Sequence, residues 1–148
     1  MFKEIFVIGI GGQGALTIGE LLSIAGNIKN YSISFYPFYG SQMRGGEAGC
    51  VIKVDTSGDE IPNPTINSPD NFLILNDKFF DKYKKFQNEN SKQYYLDDVN
   101  DKNANLLLLK KYICDSKLFD DETIIEAIKV KFNKEEIYNK KIEIYNKG

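Results

Sequence analysis

The sequence predicts an α/β sandwich with a mixed sheet and C-terminal helices, in a single domain over residues 1–148. Two patterns predict this fold class. Short runs rich in β-branched and aromatic residues are typical of buried strands. Longer stretches in which apolar residues recur every three or four positions are typical of amphipathic helices. Their order is strand, helix, three strands and then helices, and 42% of the residues are hydrophobic, which is ordinary for a globular domain.

The first strand and the first helix have the clearest signals. Residues 5–8 form a β-branched and aromatic run that ends at Gly9, as expected of a strand buried on both faces. From residue 15 to residue 28 the apolar positions follow a 3.6-residue period. This stretch is therefore predicted to be a helix with a wide apolar face.

Three further strands are predicted over residues 31–38, 48–55 and 72–75. Pro37 is expected to confine the hydrogen-bonded ladder of the second strand to its earlier part, because proline has no N–H to donate. Prolines also hold the connection before the fourth strand extended, since each fixes its own φ and restrains the residue before it. These residues are Pro62, Pro64 and Pro69.

The rest of the chain is predicted to be mainly helical. Residues 77–86 carry aromatic side chains at helical spacing. Residues 87–102 are a short polar connection, expected to be the least structured part, in which only residues 94–96 could extend the sheet. Further helices are predicted over residues 103–113, from a cap at Asp120 or Asp121 to residue 132, and over residues 134–146.

Charge and hydropathy narrow the classes of function. Nineteen Lys and Arg against 21 Asp and Glu leave a net charge of -2, which does not favour nucleic acid. No stretch approaches the roughly 20 apolar residues of a membrane span, and the N-terminus lacks the features of a secretory signal. A cytoplasmic protein with no membrane or nucleic-acid contact is expected. Cys50 and Cys114 are far apart, which predicts two buried thiols and no metal site.

A glycine-rich loop follows the first predicted strand. Residues 9–14 read Gly-Ile-Gly-Gly-Gln-Gly and match G-x-G-x-x-G in the context of a Rossmann-like nucleotide loop. Backbone N–H groups and the helix dipole favour an anion at such a loop. Residues 31–35, which lie about 20 positions further on, contain no carboxylate to bind a ribose, and this argues against NAD. Alternatively, the glycines serve only close packing of strand against helix.

A second unusual loop joins the second and third predicted strands. Residues 39–47 hold three glycines, an aromatic residue and Arg44, whose planar fork of donors suits a carboxylate or a phosphate. The adjacent Gly45 and Gly46 would let a ligand or another backbone come close. The alternative is a solvated arginine beside a flexible turn. Phe38 and Tyr39 flank the loop, where they serve either an interface or the core.

Taken together, the two loops resemble those of a known family. Gly-Gly-Gln-Gly at 11–14, Tyr-Gly at 39–40, Met-Arg-Gly-Gly at 43–46, then Cys50 and Pro-Asp at 69–70, are similar to the gamma subunit of the 2-oxoacid:ferredoxin oxidoreductases. The Met-Arg-Gly-Gly form is most similar to the 2-oxoglutarate and branched-chain enzymes. Relative to the family pattern, the segment at 87–102 is short, so a smaller sheet is expected.

The resemblance implies a heteromeric complex that converts a 2-oxoacid, with 2-oxoglutarate favoured, and coenzyme A to acyl-CoA, CO2 and reduced ferredoxin. It implies alpha, thiamine-binding beta and ferredoxin-like delta subunits as partners, with ferredoxin as the acceptor. Thiamine diphosphate, Mg2+ and iron-sulfur clusters would lie on those partners. In this chain no cofactor, catalytic residue or metal ligand is expected, since it has no cysteine cluster and no histidine. It would be inactive alone.

The resemblance also implies roles for individual residues. Four would form a loop that faces the cofactor or coenzyme A region: Gly11, Gly12, Gln13 and Gly14. Four would line the contact with partner subunits near the active site: Tyr39, Arg44, Gly45 and Gly46. Two other interpretations stay open, a stand-alone nucleotide-binding or regulatory module and a scaffold domain whose loops only pack.

Overall fold

The strands and helices of the structure lie mainly on the apolar stretches of the sequence. The computed structural model describes residues 1–40, 46–98 and 101–148. In chain order the elements are β1 (Phe2–Ile10), α1 (Ala15–Ile28), β2 (Ser32–Tyr39), β3 (Glu47–Asp55), β4 (Asn71–Ile74), a 3₁₀ helix (Asp81–Phe86), β5 (Lys92–Tyr95), α2 (Ala104–Ser116), α3 (Asp121–Lys131) and α4 (Glu135–Lys147).

The five strands form one mixed sheet in the order β2-β3-β1-β4-β5. The central strand β1 runs antiparallel to β3 and parallel to β4, while β2 and β5 are the edges. Within β1, residues 4–9 are buried without interruption. The sheet is therefore covered on both faces, which confirms the predicted α/β sandwich with a mixed sheet.

The helices cover one face of the sheet. α1 packs on β1, β2 and β3, α3 and α2 flank it, and α4 packs on α2 and α3. Two tyrosines are fully buried in this layer: the Tyr112 hydroxyl donates to Asn71 Oδ1 (2.8 Å) and the Tyr145 hydroxyl donates to Asp121 Oδ1 (2.8 Å). Asp120 is the cap of α3, because its Oδ1 accepts from the Thr123 N–H at 2.9 Å.

An aromatic cluster covers the opposite face. Phe6 from β1 and Phe38 from β2 pack there against Tyr83 of the 3₁₀ helix, with ring centroids 4.7 Å and 5.6 Å from that of Tyr83. Phe80, which directly precedes the 3₁₀ helix, and Phe86 at its end complete the row. Side chains three residues apart lie above one another on a 3₁₀ helix, so this spacing suits the tighter turn. The prediction of a helix within residues 77–86 is thus confirmed for Asp81–Phe86, where the helix is 3₁₀.

Pro37 does not end the ladder of β2, so that prediction was wrong. β2 continues to Tyr39, and Pro37 pairs in register with Cys50. The N–H of Gly40 donates to the carbonyl oxygen of Glu47 (2.8 Å), so every second residue from Gly40 back along β2 bonds to β3. Pro37 falls between those positions and faces the open edge, where no N–H is needed.

The polar stretch 87–102 contains more structure than predicted. β5 forms over Lys92–Tyr95 and pairs in parallel with β4, which confirms that this stretch extends the sheet. Tyr94 anchors the strand, because its ring meets that of Tyr112 edge-on with centroids 5.1 Å apart. The Tyr94 hydroxyl also donates to Asp115 Oδ2 at 2.5 Å. One aromatic side chain thus fixes an otherwise polar edge strand.

The two cysteines differ in exposure, and the prediction of two buried thiols was wrong for Cys114. Cys50 is buried in β3 under α1, whereas Cys114 lies on the exposed side of α2. Burial raises the pKa of the Cys50 thiol well above its ordinary value, which suppresses its reactive thiolate. We expect one thiol to react with an aromatic disulfide reagent at pH 8 in the native protein and both to react in denaturant. Two rapidly reacting native thiols would contradict this placement.

Candidate functional site

The glycine loop lies where β1 ends and α1 begins. Gly12 has φ +94° and Gly14 has φ +85°, a conformation that glycine adopts without the strain of a side chain. Gln13 closes the loop on itself, because its Oε1 accepts from the Ile10 N–H (2.9 Å) while its own N–H donates to the Ile10 carbonyl oxygen (3.2 Å). A Cβ on Gly12 would meet no heavy atom within 4 Å. The Gly12 position is therefore open to an approaching group.

The N-terminus of α1 suits an anion. Gly14 is its cap, and within the described ranges no side chain caps the helix and no acidic residue lies in the first turn. Uncapped N–H groups at a helix start carry a partial positive charge that favours phosphate or carboxylate. The structure confirms that the glycine loop leads from β1 into α1, and an anion contact at this point stays a prediction.

The two loops singled out in the sequence meet in the structure. The Gly11 N–H donates to the Gly46 carbonyl oxygen (2.8 Å), and the Gly40 N–H donates to the Glu47 carbonyl oxygen (2.8 Å). Tyr39 stands beside them with 69% of its surface exposed. Together they border a cavity of about 630 Å³, lined by Ile10, Gly11, Gly12, Gly14, Ala15, Leu16, Tyr39, Gly40, Glu47 and Ala48.

Two of the predicted site residues, Arg44 and Gly45, lie outside the described residues. Of the residues that precede and follow 41–45, Gly40 lines the cavity with the glycine loop, and Gly46 accepts a hydrogen bond from Gly11 of that loop. Among the predicted site residues, the contact between the two loops is made by Gly11 and Gly46, and Tyr39 lines the same cavity as Gly11.

Sequence reasoning missed Asn105, which reaches the glycine loop from α2. Its Nδ2 donates to the Gly14 carbonyl oxygen at 3.5 Å, the upper limit of a hydrogen-bond distance. A Cβ on Gly14 would lie 2.4 Å from that same Nδ2. Gly14 is therefore required both by its φ and by the approach of α2, and no local pattern could have indicated the second reason.

Sequence reasoning also missed the environment of Glu47, the first residue of β3. Its side chain is only 7% exposed and lies 2.5 Å from Lys82 Nζ, while its other carboxylate oxygen accepts from the Tyr83 hydroxyl. Burial, together with this hydrogen bond to Glu47, raises the pKa of Tyr83 well above its ordinary value. The sequence offered one signal for this environment, which was a carboxylate between a glycine-rich loop and the start of a predicted strand.

The side chains present do not fit the metal cofactors that the sequence resemblance implies for the complex. An iron-sulfur cluster takes four cysteine thiolates, and this chain has two cysteines, one buried and one exposed. Across the described positions, no three His, Cys, Asp or Glu side chains are grouped to hold a metal ion.

Among the helices of the same ranges, none combines the length and apolar character needed to cross a bilayer.

Comparison with known sequences gives one family and several relatives. The model of the family described as pyruvate ferredoxin/flavodoxin oxidoreductase matches residues 4–111. The ketoisovalerate oxidoreductase subunit VorA of Methanothermobacter thermautotrophicus is 34% identical over 77 residues, 52% of this chain and 16% of that protein. The 2-oxoglutarate synthase subunit KorC of Archaeoglobus fulgidus is 34% identical over 80 residues, 54% of this chain and 42% of that protein. The match thus spans less than half the length of either relative.

Solved structures share the fold. A 2-oxoglutarate:ferredoxin oxidoreductase from Magnetococcus marinus, with 2-oxoglutarate, coenzyme A and succinyl-CoA bound, superposes with a TM-score of 0.80 at 17% identity, over 99% of this chain and 30% of that one. The gamma subunit of a keto/oxoacid ferredoxin oxidoreductase from Geobacter sulfurreducens gives 0.75 at 18% identity, over 99% and 93%. The pyruvate oxidoreductase subunit PORC from Thermotoga maritima gives 0.73 at 17% identity, over 99% and 94%.

Proposed function

This chain belongs to the pyruvate ferredoxin/flavodoxin oxidoreductase family, and from that premise we propose that it is the gamma-type subunit of a thiamine-diphosphate-dependent 2-oxoacid:ferredoxin oxidoreductase. In the proposed reaction a 2-oxoacid and coenzyme A yield acyl-CoA, CO2 and reduced ferredoxin. Residues 1–148 act in this proposal as one gamma-subunit domain. The cofactors that perform decarboxylation and electron transfer are held by partner subunits, since the donor set of this chain does not fit them.

The observation that carries the proposal is the meeting of the glycine loop with Tyr39, Gly40 and Glu47 at one cavity. The uncapped start of α1 and the open Gly12 position suit an anionic group of coenzyme A. The exposed aromatic ring of Tyr39 at the rim suits a protein interface, where tyrosine and arginine are enriched. The chain would therefore contribute one wall of a site completed by its partners.

The finer part of the proposal is the substrate, for which we favour 2-oxoglutarate. KorC is named as a subunit of 2-oxoglutarate synthase, and the Magnetococcus marinus enzyme contains 2-oxoglutarate, whereas VorA is named for ketoisovalerate. Assay of the complex with 2-oxoglutarate, pyruvate and 3-methyl-2-oxobutanoate separates these possibilities. The highest kcat/KM is expected for 2-oxoglutarate, and a preference for the branched acid would overturn this assignment.

Arg44→Ala tests the predicted partner contact. Removing the guanidinium deletes five N–H donors that are suited to a carboxylate or a phosphate on a partner or ligand. We expect acyl-CoA formation by the complex to fall at least about tenfold, as is typical when a charged hydrogen-bond donor is lost. Turnover is measured at saturating 2-oxoacid, and subunit ratios are measured by gel filtration. Lys84→Ala, a change at an exposed cation on the 3₁₀ helix, is the control. Unchanged assembly and turnover in Arg44→Ala would remove the predicted contact.

A further inference from the structure

One buried carboxylate ties the start of β3 to the 3₁₀ helix beside the cavity. Glu47 starts β3 with its side chain on the face opposite α1, where the 3₁₀ helix lies. Its carboxylate lies 2.5 Å from Lys82 Nζ and accepts from the Tyr83 hydroxyl. A carboxylate with 7% exposure needs such partners, because a charge that is removed from water and left unpaired is strongly destabilising.

The partner of Glu47 is itself held firmly. The Tyr83 ring packs on Phe6 of the central strand and on Phe38 of β2, with centroids 4.7 Å and 5.6 Å away. The raised pKa of Tyr83 keeps its hydroxyl protonated, so it remains a donor to Glu47 at any physiological pH. The carboxylate is therefore anchored to the core of the sheet as well as to the cation of Lys82.

The backbone around the same residue shapes the cavity. The Glu47 carbonyl oxygen accepts from the Gly40 N–H, and the carbonyl oxygen of the preceding Gly46 accepts from the Gly11 N–H, both at 2.8 Å. Gly40, Glu47 and Gly11 all line the cavity. The side chain of Glu47 is thus fixed on one face of the sheet. Its carbonyl oxygen bonds to Gly40 at the end of β2, and that of the preceding Gly46 bonds to Gly11 of the glycine loop.

We propose that Glu47 is a positioning residue that sets the spacing between the glycine loop and the Tyr39–Gly40 rim, and thereby the affinity of the complex for coenzyme A. This inference rests on the proposed function of the subunit. Glu47 does not touch the ligand in this account. It acts through Gly46 and Gly11, whose hydrogen bond joins the strand end to the glycine loop.

A second buried carboxylate on the same face supplies a matched control. Glu4 of β1 is 3% exposed in its side chain and lies 3.7 Å from Lys53 Nζ. Its Oε2 accepts from the Asn67 N–H at 2.8 Å. Glu4 lies six residues before the end of β1, which is about 20 Å along the strand from the cavity. Glu4→Gln therefore removes a comparable buried charge at the opposite end of the sheet.

The test compares Glu47→Gln with Glu4→Gln in the assembled complex. Both changes are expected to lower the Tm, because each leaves a lysine without its buried partner. Only Glu47→Gln is expected to raise the KM for coenzyme A, by about fivefold or more, with kcat changed less than about twofold. Tyr83→Phe keeps the ring contacts and removes only the hydroxyl, and it is expected to raise the same KM to a smaller extent. If the complex with Glu47→Gln does not assemble, the coenzyme A KM of Tyr83→Phe tests the positioning role in its place.

Two results would count against these statements, and they are distinguishable. An active wild-type complex in which Glu47→Gln, or Tyr83→Phe in its place, has the same coenzyme A KM as Glu4→Gln would overturn the positioning role alone. A wild-type complex without coenzyme-A-dependent turnover would refute the proposed function and this role with it.

Discussion

Replacing Gly49 with alanine is expected to lower the free energy of unfolding by about 3 kcal/mol, the upper end of the usual range for overpacking in a rigid core. Gly49 lies in the buried strand β3, paired with Ile8 of β1 and Phe38 of β2. A Cβ there would lie 2.4 Å from the carbonyl oxygen of Val7 and 2.6 Å from the ring of Phe38. The Val7 carbonyl belongs to the central strand and cannot move away without disturbing the sheet.

Chemical denaturation of the isolated chain measures this effect, and Gly58→Ala is the control. Gly58 has φ +82° and the nearest atom to its Cβ position is 4.0 Å away, so alanine there meets backbone strain but no clash. Its expected cost is about 1 kcal/mol. A Gly49→Ala variant no less stable than Gly58→Ala would show that β1 and β3 are not as closely packed as the structure has them.

Gly12→Val is expected to reduce coenzyme-A-dependent turnover of the complex at least about tenfold, a loss equal to about 1.4 kcal/mol of transition-state stabilisation. A β-branched residue is a conformational outlier at φ +94°, so the loop must rearrange. The new side chain would also project into the open space beside the start of α1, where the anionic group is proposed to bind. Both effects act on the loop, which is exposed at the end of the sheet, so we expect the variant to fold.

The control for this change is Gly58→Val, which introduces the same strain at φ +82° in the turn after β3. Gly58 is not among the residues that line the cavity. Turnover of its complex, measured by titrating coenzyme A at saturating 2-oxoacid, is expected to match the wild type. If Gly12→Val and Gly58→Val gave equal turnover, the glycine loop would have no part in coenzyme A use.

The glycine loop could be predicted because its signals are local. A β-branched run, glycines at fixed offsets and a helical apolar period all fall within residues 5–28. The structure confirms the strand and the helix, and it shows Gly12 and Gly14 with positive φ in the loop between them. The helix within residues 77–86 was predicted, but its 3₁₀ form was not, because the spacing of the aromatic residues fits an α-helix as well. Only packing on the sheet decides between the two.

The surroundings of the loop could not be predicted, because they depend on partners far away in the sequence. Asn105 is 91 residues from Gly14, and Tyr83 is 36 residues from Glu47. The error at Pro37 has the same origin, since its effect depends on which side of β2 is the open edge. Local patterns in a single sequence predict which residues form strands. The order of the strands depends on how the whole sheet packs, and those patterns do not contain it.

Purification of the intact assembly through an affinity tag on this chain tests the subunit assignment most directly. The purified material is assayed for thiamine diphosphate, for iron and for reduction of ferredoxin. We expect larger chains in a fixed ratio with this one, both cofactors present, and ferredoxin reduction only when a 2-oxoacid and coenzyme A are supplied together. A folded chain that elutes alone as a monomer or homodimer and binds an adenine nucleotide would contradict the assignment and favour a stand-alone nucleotide-binding module.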